Sequence, residues 1–311
     1  MAAQIPNRTV SLRHRLEYAV LRGLLALLAA LPRSSARALG AAFAQMLGSR
    51  LRGLRRSALR NLSIAFPLMP LEQADRLLHR MYRNLGWLLA EFAHMPRYTA
   101  EFVRDELIRY EGLEHYDSAM KRGRGVLVLT GHLGAWELSS FAHSLLGRPM
   151  SMVIRRLDNP LVDEYVNRIR CMHGNRILHK DDFARALLRS MHAGEAVGIL
   201  MDTNMTPPQG VFVPFFGELA CTASGAARVA QKTGAAVLPG FLLWHDDEQR
   251  YVLHFGPPLD LQDTGDTEAD AVANTALFAR VTEDYIRQYP DQWLWLHRRW
   301  KTRPPGEPKI Y

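Results

Sequence analysis

The chain has 311 residues, of which 48% are hydrophobic and 23% charged, and its formal net charge is +8. This composition excludes an intrinsically disordered or collagen-like chain, and the length allows one large domain or one domain with a smaller partner. The two cysteines, Cys171 and Cys221, belong to no CxxC or CxxH pattern. They exclude a disulfide scaffold and a zinc finger, and they fit a reducing compartment.

The positive charge is concentrated at one end of the chain. Residues 1–60 contain eleven arginines and a single acidic residue, Glu17, so the rest of the chain is close to neutral. A nucleic-acid-binding protein of this charge would more often be basic throughout. The distribution therefore predicts no nucleic-acid partner. It indicates a basic N-terminal region, followed by a chain that is close to neutral.

Apolar segments lie between these arginines, at 18–31 and 38–47. The uncharged run from Gly23 ends at Pro32, well short of the roughly 18 residues of a spanning helix, and no secretory cleavage site follows. We expect a membrane anchor over about residues 12–50 that lies on, or is partly inserted into, an anionic cytoplasmic membrane face. A short tilted span and an amphipathic helix packed on the protein are the alternatives.

The remaining pattern predicts a long helix followed by an α/β domain. A helix opens at Pro70, with apolar residues at helical spacing. Further on, strand-like runs at 125–130, 150–154, 196–201 and 235–243 alternate with helical segments near 135–147, 160–172, 181–193 and 223–233. An antiparallel edge strand is expected at 251–255 and a closing helix near 267–289. The predicted fold class is α/β, with a mostly parallel sheet flanked by helices (106–311) and a helical N-terminal, membrane-associated region (1–105).

The candidate catalytic residues follow the first of these strands. His132 lies between Gly131 and Gly134 on the turn, and Glu137 falls in the first turn of the next helix. Ligands of open α/β sheets bind beyond the carboxyl ends of the strands. The carboxylate of Glu137 could fold back to the imidazole, fix its tautomer and stabilise its charged form, so that His132 acts as a general base. The alternative is a helix-start carboxylate beside a structural histidine.

Other chemistries have weaker support in the sequence. A Gly-x-Ser-x-Gly elbow is absent, and so is the HExxH pattern of zinc proteases. Neither cysteine has a local base. The sequence therefore favours a base that activates a hydroxyl supplied by the substrate.

Four segments resemble the bacterial lipid A late acyltransferases (lauroyl or myristoyl acyltransferases) of the glycerolipid acyltransferase superfamily. Residues 131–137 resemble the His-x4-Glu motif, in which the wider superfamily more often has Asp, and residues 154–159 resemble the basic second motif. Residues 201–217 resemble the Asp-containing segment with its Pro-Phe-Phe block, and residues 290–304 resemble the near-terminal signature. The resemblance covers nearly the whole chain.

The resemblance implies transfer of a fatty acyl chain from acyl carrier protein to a hydroxyl of a Kdo-lipid IVA-like precursor, without a metal or organic cofactor, at the inner membrane. His132 would be the base and Glu137 would orient it. Arg155 would stabilise the oxyanion or bind a phosphate, with Asp202 positioning Arg155 or the acceptor. The cations Arg298, Arg299, Lys301 and Arg303 would contact the lipid headgroup. A lysophospholipid or another glycolipid as acceptor, and a non-catalytic lipid-binding protein, are the alternatives.

Overall fold

The computed structural model describes residues 9–179 and 183–311. Its N-terminal part is helical: α1 Leu12–Ala30, α2 Arg33–Arg50, α3 Arg52–Ala65, α4 Leu71–His94 and the short α5 Ala100–Phe102. Pro32 separates α1 from α2 because its ring fixes φ and its nitrogen carries no proton to continue the helix. Among the described residues, no helix has both the length and the apolar character needed to cross a bilayer. The boundary drawn at residues 105 and 106 stays a prediction.

The second part alternates strands and helices, as the sequence pattern predicts. The strands are β1 Ile108–Glu111, β2 Val126–Thr130, β3 Ser151–Ile154, β4 Arg176–His179, β5 Ala196–Leu200, β6 Gly210–Phe215, β7 Glu218–Ala223, β8 Ala236–His245 and β9 Arg250–Phe255. The helices are α6 Leu113–Lys121, α7 Trp136–Leu145, α8 Pro160–Arg170, α9 Phe183–His192, α10 Gly225–Thr233 and α11 Thr267–Gln288. The first residues of the helix expected at 181–193 lie outside the described residues.

Seven strands form one sheet in the order β1-β9-β8-β2-β5-β3-β4, and every neighbouring pair except β8–β9 is parallel. The α/β class with a mostly parallel sheet is therefore confirmed. The predicted antiparallel pairing of 251–255 is also confirmed, but its edge position is wrong, because β1 pairs with the outer side of β9. The strands β6 and β7 form a separate hairpin.

Helices cover both faces of the sheet. The even-numbered residues of the central strands, such as Val128 and Leu238, pack with α1, α4 and α7 in one apolar cluster. The odd-numbered residues, such as Leu129 and Ile199, pack with α9, α10 and α11 in another. Because both faces are covered, the central strands read as continuous apolar runs, and their carboxyl ends are the part left free for a site.

Candidate active site

The turn after β2 presents His132 at the carboxyl edge of the sheet. Both of its glycines are required by close approaches: a Cβ at Gly131 would lie 3.0 Å from the Asp202 carboxylate, and one at Gly134 would lie 2.0 Å from the Leu242 carbonyl oxygen. Gly134 also has a φ of +67°, a conformation that other residues rarely adopt. The two glycines therefore shape this turn so that a carboxylate can reach the histidine.

That carboxylate is Asp202, which follows the neighbouring strand β5. Nδ1 of His132 lies 2.9 Å from Oδ1 of Asp202, and the backbone N–H of His132 donates to Oδ2 at 2.6 Å. The indole Nε1–H of Trp293 donates to the same Oδ2 at 2.8 Å. Three contacts thus fix the carboxylate, and two of them bind the residue that carries the imidazole.

The electrostatics of this pair favour an ionised aspartate. Burial by itself would raise the pKa of Asp202, but the positive field and hydrogen bond of His132 and the bond from Trp293 hold that pKa well below its usual value. Burial also opposes the charged form of His132, yet the Asp202 carboxylate outweighs it and raises the histidine pKa. An ionised carboxylate can only accept, so Nδ1 must carry the proton, and the lone pair of the neutral imidazole is on Nε2.

Glu137, the predicted orienting residue, has a different partner. Its Oε2 accepts from Nε of Arg170 on α8 at 2.8 Å, and Oε1 accepts from Nη2 of the same arginine. The prediction that Glu137 binds the His132 ring is corrected accordingly: Asp202 holds Nδ1, and Glu137 acts on the imidazole only through its charge, which raises the histidine pKa. The side chains of Arg170 and Glu137 are 13% and 20% exposed, so this ion pair is partly desolvated.

The predicted pairing of Arg155 with Asp202 is also corrected. Arg155 is exposed and its Nη2 donates to Asp158 at 2.8 Å, whereas Asp202 is committed to His132 and Trp293. Arg155 follows β3, which is separated from β2 in the sheet by one strand, β5. Its guanidinium is therefore open to a ligand from solvent.

The four predicted headgroup cations fall into two groups. Arg299 is fully buried, where it donates to the carbonyl oxygens of Thr203 and Cys221 and to the Thr222 hydroxyl. Arg303 is held by the Leu219 carbonyl and by two glutamates. These two cannot contact a headgroup in this structure and instead tie the C-terminal segment to the β6–β7 hairpin. Arg298 and Lys301 are exposed.

The C-terminal segment, whose cations the sequence assigns to the lipid headgroup, also contacts the His132 turn, and this contact is not predicted from the sequence. It bonds to the His132 turn through two backbone hydrogen bonds, from Gly134 N–H to Gln292 O and from Leu294 N–H to His132 O, which together form the antiparallel bridge between Leu133 and Trp293. His297 lies beside them, and its Nε2 accepts from the backbone N–H of Asn204 at 2.9 Å. The near-terminal signature supplies Trp293 and His297, but its residue types alone do not reveal these contacts.

A cleft and a cavity lie next to His132. A cleft is lined by His132, Asp202, Thr203, Trp293, Leu294 and His297. A larger cavity under α7 begins at Trp136, whose ring packs edge-on against the His132 ring at 5.3 Å, and the Glu137–Arg170 pair also lines it. In the part of the chain that the structure describes, no cluster of three or more His, Cys, Asp or Glu side chains could hold a metal ion. A buried carboxylate thus orients the imidazole, and a neutral imidazole held in this way can act as a general base.

Comparison with known proteins gives the class of enzyme. Residues 5–302 match the family model of the bacterial lipid A biosynthesis acyltransferases. The chain therefore belongs to this family, and it is an acyltransferase that acts in lipid A biosynthesis.

Three curated relatives from Escherichia coli (strain K12) show the extent of the similarity. The lipid A biosynthesis palmitoleoyltransferase is 30% identical over 259 residues, which cover 82% of this chain and 81% of the relative. The lauroyltransferase is 30% identical over 262 residues, covering 81% and 80%. The myristoyltransferase is 25% identical over 269 residues, covering 86% and 81%. The names of the three relatives specify three different acyl chains.

Proposed function

We propose that this enzyme transfers a fatty acyl chain from the thioester of acyl carrier protein to a hydroxyl of a Kdo-lipid IVA-like lipid A precursor. The observation that carries the proposal is the His132–Asp202 pair, in which the bond at Nδ1 leaves Nε2 as the basic atom. Family membership supports the reaction type, and the relatives' names support lipid A as the product class.

In the proposed reaction, Nε2 of His132 takes the proton of the acceptor hydroxyl as the oxygen attacks the thioester carbonyl carbon. The new C–O ester bond forms, the C–S bond breaks, and the imidazolium returns its proton to the departing thiolate. The negative charge of Asp202 stabilises the imidazolium while it exists. Transfer is direct, without an acyl-enzyme, and it requires no metal or organic cofactor.

The exposed cations suit a phosphorylated acceptor. Arg298 and Lys301 lie on the C-terminal segment whose residues Leu294 and His297 line the cleft, and both are exposed. Arg155 is exposed beyond the carboxyl end of β3. We assign Arg298 and Lys301 to the phosphates of the headgroup, and Arg155 to a phosphate or to the tetrahedral oxyanion.

The first helix supports contact with a membrane. Leu12, Leu16 and Val20 recur every four residues on α1 and are 83%, 65% and 64% exposed, whereas Leu25 and Leu28 of the same helix are buried in the core. Nearby Arg15 is exposed, as are Arg52 and Arg56 on α3. An exposed apolar stripe beside arginines favours an in-plane association with an anionic bilayer, here the cytoplasmic face of the inner membrane. The same arginines would attract the acidic acyl carrier protein.

The test is an acyl-transfer assay with purified full-length enzyme, acyl-acyl carrier protein and either tetraacylated Kdo-disaccharide lipid or lysophosphatidic acid. We expect transfer to the disaccharide lipid, lost by at least about 100-fold in His132→Ala, because a general base contributes about 10²–10⁴-fold. His192→Ala, which removes an exposed histidine from α9, is the matched control and keeps full activity. Acylation of lysophosphatidic acid alone would contradict the proposed acceptor, and normal turnover by His132→Ala would contradict the mechanism.

A further inference from the structure

A second imidazole, that of His297, lies in the same cleft as His132. The cleft holds about 270 Å³ of empty space, part of it open to solvent, and it is lined by His132, Asp202, Thr203, Trp293, Leu294 and His297. The backbone N–H of Leu294 donates to the His132 carbonyl oxygen at 3.0 Å, so the segment that carries His297 is tied directly to the histidine turn. Two imidazole rings therefore border one small space, and the proposed reaction uses only one of them.

The hydrogen bond from Asn204 determines which nitrogen of His297 carries the proton. The backbone N–H of Asn204 donates to Nε2 at 2.9 Å, so Nε2 must hold the lone pair. The proton of the neutral ring is then on Nδ1. Among the described residues none accepts a hydrogen bond from Nδ1, and Nδ1 is not one of the buried atoms without a partner. Nδ1–H is thus a solvent-accessible donor on a ring that lines the cleft.

The surroundings of His297 keep its ring neutral. Burial lowers the pKa of His297, and the Asp202 carboxylate only partly opposes this effect. Positive charge on three neighbours lowers the pKa further, namely on His132, Arg299 and Lys301. When His132 takes a proton in the proposed reaction, its charge therefore disfavours protonation of His297. A neutral ring can stabilise developing negative charge as a donor without competing with His132 for the proton.

Hydrogen bonds fix both the backbone and the ring of His297. The fully buried Asn61 of α3 donates to the His297 carbonyl oxygen at 2.7 Å. The side chain of Asn204 donates to the Thr302 hydroxyl and accepts from the Thr302 backbone N–H, both at 2.9 Å, which holds in place the N–H that binds the ring. A donor that is fixed before the substrate arrives needs no reorganisation when charge develops, as an oxyanion site requires.

We propose that Nδ1–H of His297 donates to the carbonyl oxygen of the donor thioester and stabilises the oxyanion that forms there. The inference rests on the proposed acyl-transfer function. As the acceptor oxygen attacks the carbonyl carbon, Nε2 of His132 takes the hydroxyl proton, and the C=O electron pair moves onto the oxygen that His297 binds. When the intermediate collapses, the C=O bond re-forms and the C–S bond breaks, and the proton of His297 stays on Nδ1 throughout. Arg155 is then left to bind a phosphate of the acceptor.

The test compares two substitutions that each keep one end of the imidazole. His297→Gln places an amide oxygen near the Nε2 position and keeps an acceptor for the Asn204 N–H, but it has no donor near Nδ1. His297→Asn places an amide nitrogen near the Nδ1 position and keeps that donor, but it does not reach Asn204.

The assay uses full-length enzyme, acyl-acyl carrier protein and tetraacylated Kdo-disaccharide lipid. We expect kcat to fall about 10²–10³-fold in His297→Gln, with KM for both substrates little changed, because the lost donor acts only in the transition state. His297→Asn, which keeps the donor, should be at least about 10-fold more active than His297→Gln. His192→Gln, at the exposed histidine of α9, is the control and keeps full activity.

A merely structural role would reverse the order of the two variants, because His297→Gln keeps the contact with Asn204 and His297→Asn loses it. Full activity in His297→Gln, or activity in His297→Asn that is no higher than in His297→Gln, would therefore overturn the inference. If His297→Gln does not fold, His297→Ala takes its place, and equal activity of His297→Ala and His297→Asn would overturn it. Normal turnover by His132→Ala would instead contradict the proposed function, so the two failures are distinguishable.

Discussion

The two sides of His132 differ in how they hold a carboxylate. On one side, Asp202 is buried and bound by the imidazole, the His132 backbone and the Trp293 indole. On the other side, Glu137 is partly exposed and is neutralised by Arg170 at the rim of the cavity. The first arrangement fixes the ring and its tautomer, whereas the second only adjusts the local charge. The carboxylate that is nearer in sequence is therefore the weaker partner in space.

The largest expected effect comes from removing the charge of Asp202. Asp202→Asn keeps the shape of the side chain but loses the ionised acceptor for Nδ1, so we expect kcat to fall by about 10²–10⁴-fold. The pKa of His132 should also fall, because the carboxylate raises it in the wild type. Since the base must be unprotonated, the inflection in kcat/KM against pH should move to lower pH. Asp260→Asn, at an exposed aspartate, is the control. Equal losses of kcat in both variants would contradict a specific role for the charge of Asp202.

A smaller effect on the same side follows from Trp293→Phe. The change removes the indole donor to Asp202 and keeps most of the ring volume. A hydrogen bond to a charged group contributes about 1.5–3 kcal/mol, so a loss of activity of about 10- to 100-fold is expected. Trp300→Phe is a matched control, because Trp300 is equally buried and its Nε1 has no hydrogen-bond partner among the described residues. Equal activity of the two variants would show that the indole bond does not matter.

Changes on the other side should act mainly on the pH profile. Glu137→Gln removes a charge that raises the pKa of His132, and Arg170→Gln removes one that lowers it. The kcat/KM inflection should therefore move to lower pH in Glu137→Gln and to higher pH in Arg170→Gln, with the maximal rate changing less than in Asp202→Asn. Profiles recorded alongside thermal melts separate this effect from a loss of folding. A larger fall in maximal rate for Glu137→Gln than for Asp202→Asn would reverse the comparison.

The smallest effect concerns the donor and lies far from both carboxylates. If arginines such as Arg52 and Arg56 attract acyl carrier protein, KM for the donor should rise several-fold as ionic strength rises, with kcat little changed. The measurement holds detergent constant and varies only sodium chloride. A flat KM over the range would remove the support for electrostatic steering.

The layered fold could be predicted from the sequence because its strands are covered on both faces. Continuous apolar runs such as 125–130 and 235–243 are confirmed as strands of a mostly parallel sheet. The strand β1 is not predicted, because Arg109 and Glu111 interrupt its apolar pattern; their side chains form ion pairs with each other and with Glu248 and His254. Without β1, the strand β9 would lie at the sheet edge, as the sequence predicts.

The site could be predicted only in part. The strand-end position identified His132, and the resemblance identified Asp202, but the hydrogen bond between them joins residues 70 positions apart. Only the parallel pairing of β2 with β5 brings their carboxyl ends together. Long-range contacts also determine which arginines have acidic partners. Arg33, which has no acidic neighbour in sequence, binds Glu91 of α4 at 2.7 Å. Likewise, burial of Arg299 depends on the distant β6–β7 hairpin.

The most direct test of the account is nuclear magnetic resonance of the His132 imidazole in enzyme labelled with ¹⁵N-histidine, followed across pH in the wild type and in Asp202→Asn. The account predicts that the neutral ring carries its proton on Nδ1, that its pKa lies above the ordinary value of about 6.5, and that this pKa falls in Asp202→Asn. A proton on Nε2 in the wild type, or a pKa unaffected by the substitution, would contradict it.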